Sequence, residues 1–202
     1  MRFDRIGRKR AKRFLGQRDL RLNIGCGPNP KSGWVNIDLF SDSPDMLSLD
    51  LRRDLPFSDE SASIIYGEHV FEHLEYPDET GHLLGEAYRI LQPGGLLSLG
   101  VPDTEAALKA YTAKDGDFFE RERRWHPDWC DTPMHHINYT FRQGKEHKYA
   151  YDFETLSRVI SNAGFSDVKC RAFNAELDSE ERRIGTLYVE ARKPTGPKSP
   201  SW

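Results

Sequence analysis

The chain has 202 residues, of which 37% are hydrophobic and 30% charged, and its formal net charge is −3. This length suits one domain with a sizeable core, and the absence of any run of about 18 apolar residues excludes a transmembrane helix. The cysteines (Cys26, Cys130 and Cys170) are too few and too far apart for a disulfide framework or a zinc spacing, and no secretory signal is visible, so we expect a cytoplasmic protein.

The first 21 residues are strongly basic, with nine basic side chains against two acidic ones. Five apolar residues recur at roughly helical spacing and predict a helix within residues 1–18 that packs on the domain: Phe3, Ile6, Ala11, Phe14 and Leu15. Its basic face would then point to water. Contact with an anionic membrane surface, or with nucleic acid, is the alternative for such an arm.

Strands and helices alternate along most of the remaining chain. Strands are predicted over 21–24, 34–38, 46–49, 61–66, 96–101, 167–172 and 184–192, and helices over 79–91, 104–113 and from Asp152 to Gly164. Pro93, Gly94 and Gly95 are expected to end the first of these helices. Residues 114–150 have no clean period, and the Pro- and Ser-rich tail 194–202 is expected to be loose.

This pattern predicts an α/β fold, a doubly wound, mostly parallel seven-stranded sheet with a terminal antiparallel hairpin. In such sheets the ligand lies beyond the carboxyl ends of the strands. Four groups of residues that could hold an amino acid joined to a nucleoside follow the first four strands in turn: Gly25, Cys26 and Gly27; Asp38; Asp50 and Leu51; Glu68 and His69. Glycines allow close backbone approach to a ligand, and a carboxylate can accept hydrogen bonds from ribose hydroxyls.

The segments LNIGCGPNP, WVNIDL, LDLRRDLPF, SIIYGEHVFEHL and EAYRILQPGGLLSLGVPD stand in the order found in the type-11 methyltransferase domain family. The chain resembles class I S-adenosylmethionine-dependent methyltransferases of this type, most closely the short group with GCGPNP and GWVNID motifs. The resemblance implies a Rossmann-like fold and S-adenosylmethionine as cofactor. It places Gly25 and Gly27 at the methionine moiety, Asp38 at the ribose, Asp50 and Leu51 near adenine, and Glu68 and His69 beside the methyl group.

One feature departs from the usual pattern of that fold. Pro28, Pro30 and Gly33 lie between the glycine turn and Asp38, and the interval is too short for a crossover helix. We therefore expect the basic N-terminal helix to cover the bare face of the sheet.

An oxygen acceptor needs a base to remove its proton, and a neutral histidine suits that role. His69 is the first candidate for this catalytic role, His136 the second, and Asp103 a third residue facing the cleft. His73 is four residues after His69, on the same face of a predicted helix, and is more typical of a packing residue. No third metal ligand is evident in the sequence, so no metal is expected.

The segment 114–150, rich in aromatic and basic residues, is predicted to form a substrate lid. We expect methyl transfer to a small-molecule or glycan acceptor, with a sugar hydroxyl of polysaccharide biosynthesis as the first choice. A nicotinamide-dependent oxidoreductase is an alternative, although Pro30 stands where GxGxxG needs a third glycine. A nucleic-acid-binding module that uses the basic arm is another, but the acidic remainder of the chain argues against a nucleic-acid partner.

Overall fold

The computed structural model describes residues 2–40 and 43–196, without the side chains of Arg2 and Phe3. Within these ranges, seven strands form one sheet in the order β3-β2-β1-β4-β5-β7-β6. The strands are β1 (Leu20–Ile24), β2 (Val35–Asp38), β3 (Met46–Ser48), β4 (Ala62–Glu68), β5 (Leu91–Pro102), β6 (Ser166–Cys170) and β7 (Thr186–Arg192). Strands β1 to β5 pair in parallel, whereas β7 runs antiparallel to both β5 and β6. The predicted fold class is confirmed.

The described residues also form six α-helices: α1 (Arg2–Ala11), α2 (Asp78–Ile90), α3 (Thr104–Ala113), α4 (Gly116–Glu122), α5 (Pro133–Arg142) and α6 (Phe153–Asn162). The expectation of an irregular segment over 114–150 is wrong, because α4 and α5 lie within it. Both begin at side-chain caps: Asp115 accepts from the Phe118 N–H, and Thr132 accepts from the His135 N–H. The hydrophobic periodicity of the sequence does not reveal α4 and α5, because both helices are short and only partly buried.

The predicted end of α2 is also displaced. The helix ends at Ile90, and Pro93, Gly94 and Gly95 already belong to β5. The pairing register of β5 with β4 shifts at this point, which absorbs the irregular backbone of the three residues.

The core is formed mainly by the central strands. Leu22, Ile24, Ile65, Leu97 and Leu99 are each at most 2% exposed. Residues of this type on adjacent parallel strands are buried on both faces of the sheet, which explains the nearly continuous apolar runs of the sequence.

No helix connects β1 to β2 among residues 25–34, as the prolines and glycines predicted. Helix α1 instead packs against β3, and the approach is so close that a Cβ on Gly7 would lie 2.0 Å from the Ser48 carbonyl oxygen. Asp4 accepts a 3.2 Å hydrogen bond from the Asp50 N–H, and Arg8 donates to the Asp54 carbonyl at 2.8 Å. The packing face of α1 is therefore partly polar.

The predicted apolar stripe of this helix is only partly correct. Ala11 is buried and Phe14 packs on the core, but Ile6 and Leu15 are 41% and 56% exposed. The reason is that Asp4, Gly7 and Ala11 take the inward positions, which turns Ile6 toward water. The side chain of Phe3 lies outside the described part of the structure.

None of the helices in the described part of the chain has the length and apolarity needed to cross a membrane. Of the tail predicted to be loose, residues 197–202 lie outside the described residues.

Candidate functional site

The glycine turn and Asp38 meet directly, at the carboxyl ends of β1 and β2. Gly25 and Gly27 adopt φ values of 60° and 48°, which favour glycine. The Gly27 N–H donates to the Asp38 carboxylate at 2.8 Å, and the Cys26 N–H donates to the Ile37 carbonyl at 3.0 Å. Gly25 also lacks room for a side chain, since a Cβ would lie 2.4 Å from a methyl group of Val70. The Cys26 side chain is buried, and burial raises the pKa of its thiol to about 12.

Asp50 and Leu51 follow the neighbouring strand β3, and both are buried. The Leu49 N–H donates to the Asp38 carbonyl at 3.1 Å, which joins the ends of β2 and β3. The Asp50 carboxylate is held by the Arg52 guanidinium through two hydrogen bonds of 2.8 and 2.9 Å, and these bonds lower its pKa. The structure thus brings Asp50 to the same edge of the sheet but engages its carboxylate with Arg52.

Glu68 ends β4 and is 6% exposed. Its carboxylate accepts a 2.6 Å hydrogen bond from the Ser179 hydroxyl and a 3.2 Å hydrogen bond from the Tyr188 hydroxyl. Arg182 donates to the Glu68 carbonyl at 2.8 Å. Glu68 therefore faces the connection between β6 and β7.

Residues 171–183 form a cover segment over the glycine turn. Asp178, with a fully buried side chain, forms a bidentate ion pair with Arg171 at 2.6 Å and accepts a hydrogen bond from Tyr66 at 3.2 Å. Lys31 donates to the Leu177 carbonyl. The space left between this segment and residues Asn23, Gly25, Cys26 and Glu68 is about 10 Å³.

A space of that size holds about one water molecule. The groups at this edge suit a nucleoside joined to an amino acid: the backbone of the glycine turn, the Asp38 carboxylate bonded to it, and a second carboxylate in the cleft. The residues thus fit S-adenosylmethionine, whereas admission of the whole molecule requires the cover segment to move.

A larger cavity of about 370 Å³ lies beside the end of β4. His69 reaches it from β4, and the other walls come from the α4–α5 region and from the start of β7. The lining is mixed, with Trp125, Tyr139, Gln143 and Arg182 among its members.

His69 has a defined tautomer. Its Nε2 lies 2.8 Å from the Thr186 hydroxyl oxygen, and that hydroxyl donates its own proton to the Arg182 carbonyl at 2.6 Å. His69 must therefore donate through Nε2, which leaves Nδ1 with a lone pair. Burial, with the nearby charge of Arg182, lowers the pKa of His69 to about 3. The expected helix face shared with His73 is wrong, because His69 adopts a left-handed φ of 55° and His73 lies in a single 3-10 turn.

His69 lines this cavity, whereas His136 and Asp103 do not. His136 is 3% exposed, and its Nδ1 lies 2.6 Å from the Nδ1 of His126, which does line the cavity. Asp103 caps α3 by accepting from the Ala106 N–H at 2.9 Å. Of the three predicted catalytic residues, only His69 contacts the cavity.

Sequence reasoning gave no site role to four residues that lie here: Glu72, His126, Asp178 and Arg182. Glu72 stood between two histidines in EHVFEHL, where a buried acid between apolar residues is a usable signal. The other three come from segments without periodicity, and only the tertiary structure brings them to β4. His147 was expected only as one of the basic and aromatic residues of the predicted lid.

The comparisons with known proteins agree with this fold. The family model described as a methyltransferase domain matches residues 22–99. A comparison with curated protein sequences finds no match.

Two solved structures illustrate the likeness in fold. A possible histamine N-methyltransferase from Thermotoga maritima, described as S-adenosylmethionine-dependent, aligns with a TM-score of 0.53 and 18% identity over 95% of this chain and 90% of that one. An S-adenosylmethionine-dependent methyltransferase from Archaeoglobus fulgidus aligns with a TM-score of 0.53 and 18% identity over 94% of each chain.

The chain aligns with these structures over nearly its whole length, and the domain match includes the glycine turn, Asp38 and His69. Residues 22–99 therefore match a methyltransferase domain, and the chain has the fold of solved S-adenosylmethionine-dependent methyltransferases.

Proposed function

We propose that the protein transfers a methyl group to an oxygen atom of a small-molecule or glycan acceptor, with a sugar hydroxyl as the first choice. The observation that carries this proposal is the 370 Å³ cavity beside His69. Its volume lies within the range of small-ligand sites, and aromatic faces next to polar groups suit a sugar ring.

The cofactor residues retain their expected roles in this proposal. The backbone of Gly25, Cys26 and Gly27 would hold the amino-acid end of the cofactor. Asp38 would accept hydrogen bonds from the ribose, and Asp50 with Leu51 would border the adenine. Glu68 and His69, at the end of β4 and just after it, would lie near the sulfonium, which supplies an electrophilic methyl group when the cofactor is bound.

His69 is the proposed base, in preference to His136 and Asp103. Its Nδ1 carries the lone pair and lies 3.4 Å from a Glu72 oxygen, and its ring is fixed by the hydrogen bond to Thr186. The lowered pKa keeps the ring neutral, the form that accepts a proton, but a value of about 3 is low for a base. Movement of the cover segment would carry Arg182 away from His69, which would raise the pKa toward the useful range.

The helical segment 114–150 would act as the acceptor-binding wall. Tyr139 and Gln143 of the α5 region, together with Trp125, face the same cavity as His69. Alignment of the acceptor oxygen with the methyl group and exclusion of water are the main contributions that such a wall makes to a displacement reaction.

The proposal is tested with methyl-labelled S-adenosylmethionine and a panel of nucleotide-sugars, glycans, phenols and carboxylic acids, with products located by mass spectrometry. We expect an O-methyl sugar, formed at least 100-fold more slowly by His69→Gln. Methylation at nitrogen or carbon, or sugar methylation that His69→Gln leaves unchanged, would refute it.

We also propose that the protein is cytoplasmic and that its basic N-terminal arm contacts an anionic membrane surface. Arg5, Lys12 and Arg13 are exposed beside Leu15, whereas Arg8 and Arg10 are bonded to the domain. Co-sedimentation with phosphatidylserine vesicles, but not with phosphatidylcholine vesicles, is the expected result. Equal sedimentation with both would contradict it.

A further inference from the structure

A buried carboxylate without a hydrogen-bond donor lies next to the cavity. Glu72 is in the 3-10 turn Phe71–His73 that follows β4, and its side chain is 2% exposed. Neither carboxylate oxygen accepts a hydrogen bond from any residue in the described ranges 2–40 and 43–196. Burial of such a group is unfavourable unless something compensates its charge.

Two histidines present lone pairs to this carboxylate. The Nδ1 of His147 lies 2.7 Å from the Thr140 carbonyl, and the Nδ1 of His73 lies 3.2 Å from the Glu146 carbonyl. Carbonyl oxygens only accept, so each histidine carries its proton on Nδ1 and keeps a lone pair on Nε2. The Nε2 of His147 is buried and, within the described part of the chain, has no partner.

The ligand atoms of Glu72, His73 and His147 all lie within 4.8 Å of one another. The Nδ1 lone pair of His69 lies 3.4 Å from the nearer Glu72 oxygen. The backbone fixes this arrangement, because the Lys148 N–H donates to the Glu72 carbonyl at 2.7 Å. Three histidine lone pairs therefore converge on the Glu72 side chain, and burial raises the pKa of this carboxyl group to about 8.

We propose that Glu72, His73 and His147 bind a divalent first-row transition-metal cation, with Zn²⁺ as the first choice. Two imidazoles and one carboxylate are a known catalytic zinc set, and histidines whose second nitrogen donates to a carbonyl are typical of such ligands. Bonds of about 2.0–2.2 Å would draw the three atoms to roughly 3.4 Å apart in a tetrahedron, which needs only small side-chain rotations.

The cation would adjoin the acceptor cavity, since His69 and His147 both line it. A position left open by three protein ligands would take an oxygen of the acceptor, and coordination lowers the pKa of a bound hydroxyl. This role rests on the proposed function, whereas metal binding itself does not.

A second cluster provides the competing location. His126, Cys130 and His136 also lie within 4.8 Å of one another. There the two Nδ1 atoms are 2.6 Å apart and can share a proton, so this cluster already has an internal hydrogen bond, whereas the Glu72 oxygens and the His147 Nε2 have none within the described part of the chain.

The test is calorimetric titration of the chelator-treated full chain with Zn²⁺, without cofactor or acceptor. We expect one equivalent to bind, and the affinity to fall at least about 100-fold in His147→Ala and in His73→Gln. Cys130→Ser is the matched control and should bind like the wild type. Thermal melting checks that each variant is folded. If His147→Ala unfolds, His73→Gln still decides the test, because His73 is partly exposed and its substitution should leave the fold intact.

Titration with Co²⁺ identifies the ligands by absorption. The proposed site gives visible d–d bands without a thiolate-to-cobalt charge-transfer band. The proposal would be overturned if the wild type bound no stoichiometric metal or showed a thiolate-to-cobalt band. It would also be overturned if Cys130→Ser lost metal binding while His73→Gln retained it. Since S-adenosylhomocysteine binding is measured separately, failure of the metal site and failure of the proposed function are distinguishable.

Discussion

The Gly27 N–H donates a 2.8 Å hydrogen bond to the Asp38 carboxylate, which ties the turn after β1 to the end of β2. A charged acceptor and a main-chain donor are thereby held at one place, where a ribose beside an amino-acid group would be bound.

Asp38→Ala is expected to weaken S-adenosylhomocysteine binding by at least about tenfold, because a hydrogen bond to a charged group contributes roughly 1.5–3 kcal/mol. Isothermal titration calorimetry measures the change. Asp45→Ala is the control, since Asp45 is exposed in the nearby connection between β2 and β3. Equal affinities for the two variants would exclude Asp38 from the cofactor site.

Ser179→Ala is expected to strengthen S-adenosylhomocysteine binding, by up to about tenfold. The Ser179 hydroxyl holds Glu68 in the closed cleft, and a ligand that needs the open form gains apparent affinity when the closed form is destabilised. The control is Ser157→Ala in α6, where the half-buried serine donates only to the Glu154 carbonyl of its own helix. Weaker binding by Ser179→Ala would mean that the cover segment closes over the cofactor instead of competing with it.

Gly7→Ala is expected to destabilise the protein by about 1–3 kcal/mol, because the new methyl group would collide with the Ser48 carbonyl. Gly85→Ala in α2 meets no atom within 4 Å and should stabilise by roughly 0.5–1 kcal/mol. Thermal melting reports both changes.

Deletion of residues 1–16 should likewise lower the melting temperature, and an unchanged value would show that α1 does not support the sheet.

The stability of the protein is expected to fall as the pH drops from about 6.5 toward 4, in part through His126. Burial, with His136 nearby, lowers the pKa of His126 to about 4, whereas the unfolded residue titrates near 6.5. Between these values the unfolded state binds more protons, so acid favours unfolding.

His126→Asn should make the melting temperature depend less on pH in this range, measured with a chelator present. Parallel pH profiles for variant and wild type would assign the acid sensitivity to other groups.

The sequence by itself determined the alternation of strands and helices, the glycine turn and the acids after β2 and β3. These features are local: strand patterning, turn residues and helix caps are read within a few positions. The missing crossover helix was likewise evident from Pro28, Pro30 and Gly33.

Only the tertiary structure decided where the remaining side chains meet. Tyr66 and Asp178 are 112 positions apart yet share a hydrogen bond, and His147 comes from the far side of α5 to lie against Glu72. Such contacts depend on the paths of irregular segments, where no periodicity signals which side chain turns inward. The polar face of α1 has the same origin, since the fit of Gly7 against β3 outweighed burial of Ile6.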